Sequence, residues 1–108
     1  METKQMIMIV ATQCQLGEEK EFNKWYDEIH MPLLLKFKGI RKATRYQVVN
    51  ENEEFPKYLA IYEFESKEIY EACKKSPKLA ATLSKPWKKG EPELRWRMEC
   101  EHLRTWER

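Results

Sequence analysis

Apolar positions recur with different periods along the chain, and these periods predict an alternation of strands and helices. The first stretch, Gln5 to Cys14, is apolar on both parities through its middle, which is typical of a strand covered on both faces. Gly17 interrupts this pattern, and the glutamates after it place negative charge where the first turn of a helix exposes its N–H groups. The helix that follows has one apolar stripe, made of Phe22, Trp25, Tyr26, Ile29 and Leu33.

Pro32 lies inside this helical pattern. Because proline lacks the N–H that would bond four residues back, we expect the helix to kink or to be capped again near His30 and Met31. The residues after the kink then finish the packing of the helix.

Two strands are predicted next, Ile40 to Asn50 and Lys57 to Glu65, and a polar connection joins them. Alternate residues of a strand point to opposite faces, so each strand has one side toward the helices. We assign that side to Thr44, Tyr46 and Val48 in the first of these strands and to Tyr58, Ala60, Tyr62 and Phe64 in the second.

A second helical region and a last strand complete the pattern. Ser66 is well placed as the N-cap of a helix that runs to about Cys73, and Ser76-Pro77 begins another short helical piece. We predict a long strand from Leu94 to Trp106. We assign Trp96 and Met98 to the side of this strand that faces the helices.

The resulting order, β-α-β-β-α-β, predicts a ferredoxin-like α+β sandwich in which a four-stranded antiparallel sheet has helices on one face. Residues 1–108 form a single domain. The uncovered face combines apolar residues with charged ones, a mixture that suits the pairing of two sheets in a homodimer with ion pairs at the rim. We assign to it Ile7, Ile9, Leu59 and Ile61 together with Arg45, Glu63, Arg97 and Glu99.

Composition and charge exclude several classes of function. Twenty basic and 18 acidic residues are interspersed, so no field builds up that would hold a nucleic acid. No apolar run approaches the roughly 20 residues of a membrane span, and no signal peptide is present, so we expect a cytoplasmic protein. Three widely spaced cysteines without a CxxC pair indicate reduced thiols rather than a metal site. The chain also lacks the spacings of hydrolases, nucleotide-binding loops and zinc proteases.

Residues 22–32, FNKWYDEIHMP, followed by Lys38-Gly39-Ile40 and Arg45-Tyr46, resemble the helix-to-strand signature of the EthD-like branch of dimeric α+β barrel proteins. The resemblance implies a homodimer whose sheets face each other to form a barrel, with a small-molecule pocket between sheet and helices in each subunit. Relatives in that superfamily include cofactor-free cyclases, lactone isomerases, small monooxygenases and heme-handling enzymes. This chain departs from the heme-handling branches because it has no clear histidine ligand, His102 being a poor substitute, so we expect no cofactor.

His30 is the first candidate for chemistry, since imidazole can take or give a proton near neutral pH. Asp27, three residues earlier on the helix, is expected to fix its tautomer. Tyr46 is expected to face the same cavity and to donate to developing negative charge. Two alternatives remain open. His30 can instead be a polar residue that closes a helix end. If the parity of the strand is reversed, Arg45 becomes an anion-binding group in the pocket and Tyr46 becomes a core residue.

The aromatic residues predict an apolar cavity for a flat substrate, with core packing as the alternative for each of them. Its expected wall includes Tyr26, Tyr62 and Trp96, and Trp87 on the loop before the last strand is a candidate lid. Cys73, beside Lys74 and Lys75, is a minor candidate for a thiolate.

These residues together predict a protein that binds a small carbonyl-bearing or aromatic molecule and acts on it as a cofactor-independent isomerase or cyclase. Catalysis by His30, Asp27 and Tyr46 would move a proton alpha to a carbonyl. A cofactor-free monooxygenase of the same fold and a non-catalytic ligand-binding or accessory protein are the alternatives.

Overall fold

A computed structural model describes residues 5–84 and 94–108. Four strands and two helical regions alternate in the order that the sequence predicts. The strands are β1 (Met6–Thr12), β2 (Ile40–Gln47), β3 (Tyr58–Phe64) and β4 (Leu94–Glu101). The helices are α1 (Glu19–Trp25), a π-helical turn (Tyr26–His30), α2 (Met31–Leu34), α3 (Lys67–Lys74) and α4 (Pro77–Ser84).

The strands form one antiparallel sheet in the order β2-β3-β1-β4. Both crossovers that contain helices, β1 to β2 and β3 to β4, therefore pass over one intervening strand, as the ferredoxin-like α+β topology requires. The core lies between the sheet and the helices, where Phe22, Leu34, Tyr62, Phe64 and Leu79 are the largest fully buried side chains. The predicted fold class is confirmed.

The first helical region is interrupted at the place where Pro32 predicts a kink. Trp25 ends regular α-helix, a single π turn follows, and α-helix resumes with Pro32 in its first turn. Because a π turn holds one more residue than an α turn, the apolar stripe shifts by one position beyond it. Ile29, expected to be buried, is 48% exposed, whereas His30 and Leu34 enter the core.

The second helical region begins at two serine caps. The Ser66 hydroxyl accepts a hydrogen bond from the backbone N–H of Ile69 at 3.2 Å, and the Ser76 hydroxyl accepts one from Leu79 at 3.2 Å. Each cap satisfies an N–H group that the helix itself leaves unpaired. Both predicted helix starts are confirmed.

Each of the two edge strands, β2 and β4, contains a register shift. Beyond the shift, its side chains point to the face opposite to the one predicted. On β2 the pairing slips between Ile40 and Lys42, so that Arg45 lies opposite Ala60. On β4 the slip lies opposite Ala11 and Thr12, and beyond it Glu99 lies opposite Met8. One inserted residue moves every later side chain to the other face of the sheet.

The predicted faces of both edge strands were therefore wrong. Arg45, Arg97 and Glu99 share the helix side with residues such as Val10 and Ala60. The opposite side, which we call the open face, is more apolar than predicted. Its described apolar members are Ile7, Ile9, Tyr46, Leu59, Ile61, Trp96 and Met98.

Within residues 5–84 and 94–108, no helix combines the length and the apolar character that a bilayer crossing needs.

Candidate functional site

His30 lies in the core, in an aromatic cluster at the end of the π turn. Its side chain is 5% exposed, and its ring stacks on Trp25 with centroids 4.8 Å apart and meets Tyr26 edge-on at 4.9 Å. His30 is thus the last residue of a helical segment, as the alternative expected, but its side chain is buried. The cavity described below is lined by other side chains.

Tyr26 and Tyr62 join the first helical region to the sheet. Their hydroxyl oxygens lie 3.0 Å apart, and both side chains are buried. Burial, reinforced by the neighbouring Tyr26, raises the pKa of Tyr62 well above its usual value. The Tyr62 phenol therefore remains a neutral hydrogen-bonding group within the core.

Arg45 faces the helices in place of Tyr46. Its guanidinium lies 4.3 Å from the centroid of the Tyr26 ring, and it donates to Asp27 and to Asn23 at 2.7 Å each. Arg45 thus faces the helices, as the alternative with the reversed strand parity expected. The Asp27 carboxylate balances the charge of its guanidinium. The Asp27 carboxylate, expected to orient His30, is engaged by Arg45 instead.

Tyr46 lies on the open face, opposite Leu59, and is 55% exposed. The sheet separates it from His30, so the expected donor and base cannot meet within one subunit. Trp96, expected to line the pocket, also lies on the open face, opposite Ala11. Trp87, the candidate lid, lies outside the described residues.

A cavity of about 300 Å³ opens on the other half of the helix side, between α3, α4 and the strands β1, β3 and β4. Part of the lining is apolar and part is charged or polar, and we call these two sets of side chains the apolar wall and the polar wall. The lining residues are Met8, Phe64, Tyr70, Cys73, Lys74, Leu79, Ala80, Arg97 and Glu99. A concave, mostly apolar site with a few polar groups is the usual form of a small-molecule pocket.

Glu99 is the centre of the polar wall. Its carboxylate lies 3.4 Å from the Lys74 ammonium and near the Tyr70 hydroxyl. These two groups lower the pKa of Glu99, the Tyr70 hydroxyl having the larger effect. Burial, together with Glu99, raises the pKa of Tyr70. The wall thus holds an ionised carboxylate beside a neutral phenol and an ammonium group.

Sequence reasoning missed this wall because Arg97 and Glu99 were assigned to the wrong face. The available signal was their alternation with Trp96 and Met98, since adjacent residues of a strand point to opposite faces and the two pairs must therefore lie on opposite sides. Only the register of β4 decides which of the two sets faces the helices.

Cys73 lines the cavity, but burial raises the pKa of its thiol, so the predicted thiolate character is not favoured at neutral pH. Among the residues that the structure describes, no three or more histidine, cysteine or acidic side chains are grouped as metal ligands would be. His102 bonds to Thr105 at 2.8 Å in an exposed segment near the chain end.

The model of a family described as "Domain of unknown function (DUF4286)" matches residues 5–99 of the chain. A search of curated proteins finds no match to it.

Solved structures share the fold over nearly the whole chain. An EthD family protein from Bacillus halodurans is 15% identical with a TM-score of 0.68, over 93% of this chain and 99% of that one. The heme-degrader MhuD from Mycobacterium tuberculosis, solved with two hemes bound in its active site, is 17% identical with a TM-score of 0.68, over 94% and 99%. A dimeric ferredoxin-like protein of unknown function from Thermobifida fusca is 9% identical with a TM-score of 0.61, over 94% and 92%. At these identities the likeness confirms the fold and the EthD-like resemblance at that level.

Proposed function

We propose that this chain, which belongs to the DUF4286 family, is a homodimeric small-molecule-binding protein whose ligand occupies the cavity between α3, α4 and the sheet. The observation that carries the proposal is the cavity itself, about 300 Å³ with one apolar and one polar wall. A volume of this order accommodates a ligand of one or two aromatic rings.

The open face supports the dimer. Tyr46, Met98 and Trp96 are between 39% and 55% exposed there, although large apolar side chains gain free energy from burial. Covering one face of a four-stranded sheet removes well over ~1,000 Å² in total, the size of a stable interface. The fold neighbour from Thermobifida fusca is described as dimeric, which agrees with a second copy as the partner.

The dimer is tested by placing a charge on the open face. Met98→Glu should convert the protein to a monomer at micromolar concentration in sedimentation velocity, because the carboxylate would be buried without a partner. Leu16→Glu is the matched control, since Leu16 is 91% exposed in the connection before α1, and it should remain dimeric. A wild-type protein that sediments as a monomer would overturn this part of the proposal.

The pocket is tested with N-phenyl-1-naphthylamine, a neutral aromatic amine that fluoresces when it leaves water. We expect saturable binding to the wild type and loss of binding in Ala80→Trp, because the indole would fill the cavity. Ala81→Trp is the control: Ala81 is an exposed neighbour on α4 that is not among the lining residues. Equal binding by both variants would contradict the proposed site.

Proton transfer in the same cavity is a second candidate function, favoured by one observation. An ionised Glu99 beside the neutral Tyr70 and the Lys74 ammonium combines a base with two donors. Glu99 would remove a proton alpha to a carbonyl, and a donor would stabilise the enolate oxygen before the proton is returned. Phenylpyruvate in D₂O should then gain deuterium at its methylene carbon, and Glu99→Gln should abolish the uptake while N-phenyl-1-naphthylamine still binds.

A further inference from the structure

The charged groups at the cavity do not balance one another. Among the residues that the structure describes, the lining contains two basic side chains, Lys74 and Arg97, and one acidic side chain, Glu99. Lys74 is paired with Glu99 at 3.4 Å. Within residues 5–84 and 94–108, Arg97 forms no ion pair. Arg97 acts on Glu99 only as a more distant charge, beyond ion-pair distance. Among the described lining residues, the two cations therefore exceed the one carboxylate by one positive charge.

The contacts of Glu99 limit how far its carboxylate neutralises Arg97. Glu99 already lies near the Tyr70 hydroxyl and the Lys74 ammonium, so its capacity for a further partner is reduced. Arg97 lies two residues away on β4, and both side chains are on the helix side of the sheet. A guanidinium presents a planar fork of donors that matches a carboxylate, sulfonate or phosphate group with two parallel hydrogen bonds.

The apolar wall has a different chemistry. Met8, Phe64, Leu79 and Ala80 supply apolar surface that can cover rings or an alkyl chain. A ligand that satisfies both walls has an acidic group at one end and an apolar body at the other.

We infer that the ligand of this cavity is an organic anion, a small aromatic or aliphatic acid whose acidic group pairs with Arg97 while its apolar part packs against Phe64 and Leu79. The inference rests on the proposed function, because it names the class of molecule that the same cavity takes. It adds a specificity-determining residue, Arg97, that sequence analysis had placed on the other face of the sheet.

Two dyes that differ by a single group provide the test. 8-Anilinonaphthalene-1-sulfonate is N-phenyl-1-naphthylamine with an added sulfonate, so the ratio of their dissociation constants isolates the effect of the negative charge. We expect the sulfonate to bind the wild-type dimer at least about tenfold more tightly, the effect of one charge-assisted pair. Ala80→Trp should abolish binding of both dyes at this site.

Arg97→Gln should remove most of the tenfold preference and leave the affinity for the neutral dye unchanged. Arg41→Gln is the matched control, because Arg41 is exposed on β2, outside the lining, and its loss changes the net charge equally. It should leave both affinities unchanged. Circular dichroism should show that Arg97→Gln keeps the fold, since residue 97 is exposed on an edge strand.

The outcomes separate the inference from the proposed function. Equal affinity for the two dyes, or an Arg97→Gln effect no larger than that of Arg41→Gln, would overturn the anion preference while blockage by Ala80→Trp still supports the pocket. If neither dye binds the wild type, or if Ala80→Trp leaves both affinities unchanged, the proposed site falls and the inference falls with it.

Discussion

Arg45 lies directly opposite Ala60 in the sheet, and this pairing directs its guanidinium toward the first helical region. There it stands over the Tyr26 ring at 4.3 Å and holds Asp27 and Asn23 at 2.7 Å each. Its side chain is only 15% exposed. Arg45, a charged residue of the edge strand β2, thus links the first helical region to the sheet.

Arg45→Met should lower the free energy of unfolding by about 1–2 kcal/mol, because it removes a partly desolvated cation–π contact and two hydrogen bonds. Asp27→Asn should cost less, about 0.5 kcal/mol, since the Asp27 side chain is 61% exposed and its charge is screened by water. Urea denaturation at one fixed protein concentration measures both. Arg41→Met, at an exposed position of the same strand, is the control, and an equal cost for it would mean that the contacts of Arg45 contribute nothing specific.

The positions of Arg45 and Tyr46 show how far sequence reasoning reaches. The polarity of Ile40 to Asn50 predicts the strand correctly, but alternation alone assumes an unbroken register. The shift between Ile40 and Lys42 inserts one residue at the start of the strand and inverts every face after it. A register shift near the start of β4 has the same effect. Arg97 and Glu99 face the helices there and Trp96 and Met98 face the opposite side, the reverse of the prediction. Both shifts occur on edge strands, which have a partner on one side only.

Gly39 approaches α3 too closely to be replaced by a larger residue. A Cβ atom at this position would meet the Cys73 sulfur and would lie 2.9 Å from a methyl carbon of Ile69. Gly39→Ala should therefore destabilise the protein by about 1–3 kcal/mol through overpacking. Thermal unfolding checks the value. Cys73→Ala in the same chain should recover part of the loss, and a double variant no more stable than Gly39→Ala would contradict this origin.

Glu19 and Lys57 form an ion pair at 2.9 Å, and the Gly17 N–H also donates to the Glu19 carboxylate. The hydrogen bond from Lys57 is the largest cause that lowers the pKa of Glu19 from 4.5 to about 2. Since the folded value is the lower one, the contribution of Glu19 to stability is present above pH 4.5 and is lost as the pH falls toward about 2.

Carbon-13 NMR titration of the Glu19 carboxyl tests this assignment. Lys57→Met should raise its midpoint toward 4.5, while the Gly17 hydrogen bonds keep it from rising fully. Lys20→Met removes a charge from the neighbouring residue and should leave the midpoint in place. A midpoint that does not respond to Lys57→Met would mean that the pair does not persist in solution.

The candidate site was only partly predictable for a physical reason. Phe22, Tyr26 and Tyr62 were correctly identified as aromatic residues of the helix side, because large apolar side chains with the right spacing are buried in almost any such fold. His30, however, packs against the rings of Trp25 and Tyr26. The cavity described for this chain lies under α3 and α4 and is lined by Tyr70 and Leu79, which the sequence analysis did not single out. Which of two helix pairs leaves space depends on side-chain packing, which periodicity does not encode.

Methionine methyl groups test the position of the ligand most directly, because they lie in three different parts of the molecule. Met8 lines the cavity, Met31 is buried beside His30, and Met98 lies on the open face. With [¹³C-methyl]methionine and 8-anilinonaphthalene-1-sulfonate, the Met8 resonance should shift in proportion to occupancy while those of Met31 and Met98 stay in place. A shift confined to Met31 or Met98, with Met8 unmoved at saturation, would contradict a ligand site beneath α3 and α4.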